Sequence, residues 1–144
     1  RQLHPGAKLS FAAWGQIPEN PFFTLPARAA RETLGTMPKS DPDAPGPFAF
    51  RDPERIEQVL RDAGWKEITC EVVALDLTPV GGPDSLADQM CDIGPAGGAI
   101  THFEATEAQI ADLRQAIADA LQPFAQNDTF HLPAQINFVT ATKP

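Results

Sequence analysis

The first apolar run of the chain, Leu9, Phe11, Ala12, Ala13 and Trp14, follows a Pro5-Gly6 turn. Apolar at nearly every position, it predicts a strand over about Lys8–Trp14 buried on both faces. Asn20 before Pro21 predicts a helix start, with Asn as the cap and Pro at the first helical position. That helix continues through Phe22, Phe23, Leu25, Ala29 and Ala30 to about Leu34, where Gly35 stops it, and Pro26 can bend it. Residues 36–47 read as an extended loop with Pro38, Pro42, Pro45 and Pro47.

The clearest periodicity comes next. Asp52 caps, Pro53 opens, and Ile56, Val59, Leu60 and Ala63 recur at helical spacing until Gly64. Trp65–Leu77 then reads as a strand, with Ile68, Cys70 and Val72 alternating against Thr69 and Glu71. From Val72 onward the alternation blurs, which predicts a bulge or a change of environment. A helix over about Asp84–Ile93 carries Leu86, Met90 and Ile93, with Gly94-Pro95 as its stop and Gly97-Gly98 as a flexible turn. Thr106 and Gln109 form a capping box for a long helix, Glu107–Leu121, with Ile110, Leu113, Ile117 and Leu121 on one face. The last strand covers about Gln135–Thr142, Ile136, Phe138 and Thr140 on one side and Val139 and Ala141 on the other. The pattern is an α/β fold of three strands and at least four helices.

Composition narrows the partners. The net charge of −8 over 144 residues, with no basic run, argues against nucleic acid or an anionic membrane. No apolar stretch approaches the roughly 18 residues that span a bilayer. Cys70 and Cys91 stand far apart without metal-type spacing, which fits a reducing, cytoplasmic setting. The chain has no initiator Met and no strand ahead of Lys8–Trp14, so it is expected to start inside a larger sheet.

Three stretches carry a resemblance. Leu3-His4-Pro5-Gly6-Ala7-Lys8-Leu9 resembles the Leu-x-Pro-Gly-Gly-x-Leu entry to the fifth strand of class I S-adenosylmethionine-dependent methyltransferases, with Ala7 in place of the second Gly. Ala63-Gly64-Trp65 resembles the Ala-Gly-Phe turn before the sixth strand of that family, and Gln135–Lys143 matches its seventh. Trp14…Asn20-Pro21-Phe22 and Gly46-Pro47-Phe48-Ala49-Phe50 resemble a bacterial subgroup known only as methyltransferases. The resemblance implies the C-terminal half of a Rossmann-like sheet, mixed, with the last strand antiparallel in the middle. It makes residues 1–144 a single partial domain, with 15–51 and 79–134 as inserted helical cap segments of the ubiquinone-biosynthesis type.

Function follows as an expectation. The chain would be the substrate-capping portion of a small-molecule methyltransferase. S-adenosylmethionine would bind in the full-length protein, through a Gly-rich turn after the first strand and an acidic residue ending the second. Neither Gly81-Gly82 nor Gly97-Gly98 reads as such a turn, so the chain alone is expected to hold no cofactor and to be inactive. The partner is a small-molecule methyl acceptor. A bare Lys8–Trp14 edge implies a homodimer or a swapped assembly.

Candidate substrate-binding residues are Trp14, at the carboxyl end of a strand where α/β sheets bind ligands, and the aromatic set Phe22, Phe23, Phe48 and Phe50. The plainer alternative is that Trp14 is core packing, Phe22 and Phe23 a helix face, and Phe48 and Phe50 pins for the Pro-rich loop. Asn20 reads as a cap before a ligand. His102 is a candidate general base without a visible partner; His4 and His131 carry no role. Asp41, Asp43, Asp52 and Asp84 read as loop and cap residues. A second function class stays open: a non-catalytic α/β module that binds a hydrophobic ligand or a protein partner.

Overall fold

The computed structural model describes residues 3–41, 43–126 and 129–144; Pro42 of the extended loop lies outside them. Its principal elements are β1 (Lys8–Trp14), α1 (Pro21–Thr33), α2 (Pro53–Asp62), β2 (Lys66–Leu77), α3 (Pro83–Asp92), α4 (Gly94–His102), α5 (Glu107–Leu121), β3 (Ala125–Gln126), β4 (Thr129–Phe130) and β5 (Leu132–Thr142). They form two compact units. The sheet unit comprises the chain up to Asn20, Ser40–Leu75 and Ala134–Pro144; the helical unit comprises Pro21–Lys39 and Asp76–Pro133.

In the sheet unit the strand order is β1-β5-β2. The last strand lies in the middle, antiparallel to β1 from Lys8↔Thr142 to Trp14↔Ile136. On its other side the Thr69 and Thr140 hydroxyls are 2.7 Å apart, and Thr142 donates to Glu67 at 2.7 Å. The expected mixed sheet is corrected: the three strands form an antiparallel sheet. With β5 between β1 and β2, those two never form a ladder with each other.

The local chemistry explains the strand entry. Pro5-Gly6 closes a turn in which Ala7 N–H donates to the His4 carbonyl at 3.1 Å. Gly6 has φ +80 there, the left-handed conformation that glycine adopts without strain. Two of its backbone groups then join the end of β5: Gly6 N–H donates to the Lys143 carbonyl, and the Ala7 carbonyl accepts from Lys143 N–H, both at 2.8 Å.

β1 is not buried on both faces, as its apolar run implied. Leu9 and Phe11 pack into a core of Ile56, Leu60, Val139 and Ala141, while Ser10 and Ala12 are exposed. The reason is coverage: this core draws its helical residues from α2 alone, and α2 covers one face. Asp52 accepts from Glu54 N–H at 3.0 Å and Pro53 opens the helix, as the sequence indicates. Its buried stripe is narrower than the periodicity implied, because Ile56 and Leu60 face the sheet while Val59 and Ala63 are exposed. Each of the two buried aliphatics contributes on the order of 1.5–3 kcal/mol by leaving water. Trp65 N–H closes the helix on the Leu60 carbonyl at 2.9 Å, across Gly64 at φ +83. In β2 the alternation of half-buried and exposed residues slips at Glu71-Val72, both exposed, which is where the sequence pattern blurs.

The helical unit buries Ala29 and Ala30 of α1, Leu86, Ala87 and Met90 of α3, Ala96 and Ala99 of α4, and Leu113, Ile117 and Leu121 of α5 in one cluster with Phe130 and Leu132. The capping box at Thr106 and Gln109 is formed. Helix α3 ends at Asp92, so Gly94-Pro95 is its stop as the sequence indicates, whereas helix α4 overturns the reading of Gly97-Gly98 as a flexible turn. Gly94 takes φ +71 and ends α3's path, and Pro95 then serves as a first-turn residue of a new helix. Gly97 is needed for contact: a Cβ there would lie 3.0 Å from the Asp92 and Cys91 carbonyl oxygens. The two-residue strands β3 and β4, paired Ala125↔Phe130 and Gln126↔Thr129, are also additions to the pattern.

Candidate functional site

A cleft of about 420 Å³ opens in the sheet unit, lined by Ala12, Ala13, Trp14, Gly46, Pro47, Phe50 and Ile136. One wall is the carboxyl end of β1, and the facing wall is the Pro-rich segment that leads to α2. Ile136 is the ladder partner of Trp14. No lining side chain ionises, so the cleft selects by shape and apolar contact.

Two buried amides fix these walls. Asn20, fully buried, binds β5 through its side chain: its Oδ1 accepts from Gln135 N–H at 3.0 Å, and its Nδ2 donates to the carbonyls of Gln16 at 2.9 Å and Gln135 at 3.2 Å. It is therefore a clamp between the β1 exit and β5, a role that its reading as a helix cap did not include. Gly15 permits the approach, because a Cβ there would meet the Gln135 side chain at 2.7 Å and its carbonyl oxygen at 3.0 Å. Asn137, 1% exposed, holds the other wall: its Nδ2 donates to the carbonyls of Phe50 at 2.9 Å and Arg51 at 3.0 Å. Gln16 Nε2 reaches the same Arg51 carbonyl at 3.4 Å, so the two walls touch through it.

The loop has its own ion pairs. Arg51 donates to Asp43 Oδ1 at 2.8 Å and to the Phe48 carbonyl at 3.2 Å, and Arg55 reaches the Asp43 carbonyl at 3.2 Å. The Phe50 ring packs on Phe11 at 6.1 Å between centroids, which ties the loop to the sheet core.

The sequence-derived candidates separate. Trp14 and Phe50 both line the cleft. Phe48 is half-buried in the loop beside them and is not among the lining residues. Phe22 and Phe23 belong to the helical unit: Phe23 is buried, Phe22 packs against the helical core, and their rings meet edge to face at 5.2 Å. His102 stands in the last turn of α4 with its ring edge-on to Phe103 at 4.8 Å. His131 Nδ1 lies 3.9 Å from Asp76 Oδ2 on the surface of the helical unit.

Sequence reasoning missed Asn137. Its signal was parity: it shares a strand face with Val139 and Ala141, so a polar residue stands at a core position and needs buried partners. Its Oδ1 is the buried side-chain atom that lacks a partner among the described residues. Such an orphaned acceptor costs about 1–3 kcal/mol.

Both cysteines are free thiols. Burial raises the Cys70 thiol pKa, with Glu57 adding to it. Burial also raises that of Cys91, with Arg114 opposing and Asp88 and Asp92 adding. Neither is a poised nucleophile. Among the described residues no cluster of three or more His, Cys, Asp or Glu is placed to hold a metal ion, and no helix is long and apolar enough to cross a membrane.

A cofactor cradle needs bare backbone with open space beside it. Gly81-Gly82 does stand between a strand, β2, and a helix, α3, which corrects its reading from sequence. The open space a cradle needs is missing at Gly81, where a Cβ would lie 2.9 Å from the Ser85 side chain. Pro83 at the helix start also withholds an N–H. Gly97 and Gly98 lie inside α4. At Gly82 nothing lies within 4 Å, and neither pair is assigned a cofactor.

No family model matches the chain, and no curated protein matches it.

Proposed function

We propose that the chain is the C-terminal, substrate-capping portion of an S-adenosylmethionine-dependent small-molecule methyltransferase and that the cleft beside β1 receives the methyl acceptor. The observation that carries this reading is the strand order β1-β5-β2, with the last strand returning between the first two. The class resembled at Leu3–Leu9 and Ala63–Trp65 has that return of its last strand. The cleft supports it further: it sits at the carboxyl end of β1 and is walled by Trp14, Pro47 and Phe50.

The chemistry asked of these residues is positioning. Trp14 and Phe50 hold a flat apolar molecule, and the two clamped walls keep its reacting atom in place. The methyl donor is not held by residues identified in this chain, so no step is assigned to them beyond binding and orientation.

The test is an assay of the complete gene product with labelled S-adenosylmethionine and a panel of aromatic acceptors. Transfer that falls at least tenfold in Trp14→Ala, with the fold intact by circular dichroism, supports the reading. Absence of transfer to every acceptor, in a protein that binds them, overturns it in favour of a non-catalytic module for hydrophobic ligands.

A further inference from the structure

We propose that the cleft takes a planar, neutral molecule carrying a hydrogen-bond donor and acceptor side by side, as a cyclic amide does, and that the Ala12 N–H and carbonyl on the open edge of β1 receive the pair. This rests on the cleft being the acceptor site. β1 is an edge strand: β5 pairs with one side of it, and β2 lies beyond β5. Gly15 N–H donates to the Gln135 carbonyl and the Ala7 carbonyl accepts from Lys143 N–H, which extends the register Lys8↔Thr142 to Trp14↔Ile136 at both ends. Bonding residues alternate along an antiparallel strand, so the odd-numbered residues of β1 bond to β5. The N–H and carbonyl of Ala12 therefore point away from β5, to the open edge. Among the described residues no other backbone group bonds to them.

The cleft passes round that edge. Ala12, Trp14 and Ile136 share the sheet face opposite α2, because they alternate with Leu9, Phe11 and Val139, which pack with Ile56 and Leu60 of α2. Phe50 packs on Phe11 and so stands on the α2 side. All four line the one cleft, as do three consecutive residues of the strand, Ala12, Ala13 and Trp14. A cleft that reaches both faces of an edge strand runs along its edge. Ala12 is exposed, so a ligand meets its backbone with no movement of the wall. An extended residue offers its N–H and carbonyl in the same direction, and a cyclic amide presents the complementary pair, as a next strand would. No lining side chain ionises, which suits a neutral ligand. Trp14 and Phe50 supply the aromatic surface, and the volume of about 420 Å³ admits two fused rings.

The experiment titrates the native chain with 2-quinolone and with coumarin, which share a two-ring shape; the ring N–H of the first is a ring oxygen in the second. Calorimetry gives the affinities, and the Ala12 backbone amide resonance reports the contact. The expected result is about tenfold tighter binding of 2-quinolone, with the Ala12 amide shifted as it binds. Ala12→Pro removes an N–H that the ladder to β5 does not use, so the strand should keep its fold and both probes should bind more weakly; should that variant fail to fold, the native comparison decides. Equal affinities, or an Ala12 amide that ignores 2-quinolone, overturn the proposal. So does an Ala12 amide already protected from solvent exchange in the ligand-free complete gene product, because another strand would then occupy the edge. The methyltransferase reading fails separately, by absence of transfer, whatever the ratio of the two affinities.

Discussion

Asn20 and Gln135 are joined as two strand residues would be: the Asn20 amide accepts from the Gln135 N–H at 3.0 Å and donates to its carbonyl at 3.2 Å. A side chain thus replaces the backbone of a neighbouring strand just beyond Trp14. Removing it takes the acceptor from the Gln135 N–H, while the carbonyls of Gln16 and Gln135 keep the N–H groups of Glu19 and Gly15. Asn20→Ala is therefore expected to lose about 1–3 kcal/mol. Asn20→Asp keeps the acceptor but loses the donors and places a charge at a fully buried position, so it should be worse. Urea denaturation with an unchanged slope checks both; a loss under 1 kcal/mol in each would remove the clamp from the account.

Gly97 and Gly98 stand side by side in α4 and should respond oppositely to alanine. At Gly97 a Cβ meets the Asp92 and Cys91 carbonyl oxygens at 3.0 Å, and backbone does not yield easily. At Gly98 nothing lies within 4 Å. Gly98→Ala should raise stability by about 0.5–1 kcal/mol through helix propensity. Gly97→Ala should lower it by about 1–3 kcal/mol despite the same propensity gain. Thermal unfolding of the two variants separates the effects, and equal shifts would mean that α4 does not pack on the end of α3 in this way.

Asp43 links Arg51 and Arg55 and so holds the loop that forms one wall of the cleft. Its side chain is 49% exposed, so Asp43→Asn is expected to change global stability by less than about 1 kcal/mol. The local effect should be larger: amides of residues 43–51 should exchange faster with solvent, and aromatic probes should bind the cleft more weakly. Unchanged exchange in that segment would show that Asn137 and Phe11 hold the wall without the ion pairs.

The sequence was most legible where one residue type has one local use. Asp52-Pro53 and Thr106…Gln109 announce α2 and α5 because a cap needs only its own first turn. Helix α4 was hidden because three of its nine residues, Gly94, Gly97 and Gly98, are glycines, which penalise a helix until tertiary contact demands them. The burial of β1 was misjudged because an apolar run records what a strand tolerates and not what covers it. At the cleft, Trp14 and Phe50 stood out as aromatics. Gly46, Pro47 and Ala12 did not, since small residues become walls only when distant segments meet. Asn137 was visible only through its parity on β5, a property that exists once the buried face is known.

Glu67 offers a test by pH. It accepts from Thr142 and Lys8, in that order of influence, and these contacts hold its carboxyl below the usual range. A depressed carboxylate contributes stability that is fully present above its unfolded pKa and is lost as pH falls through the folded value. Glu67→Gln should therefore unfold at a lower temperature than the native chain at pH 7. The gap should close as the pH drops below the ordinary carboxylate range of about 4.3. Because the group is fully exposed, the gap should also shrink in high salt. Glu67 takes φ +49, a conformation glutamine shares no better, so backbone strain does not confound the comparison. A gap that stays constant from pH 7 to pH 3 would mean that the carboxylate charge plays no part in fastening Glu67 to Thr142 and Lys8.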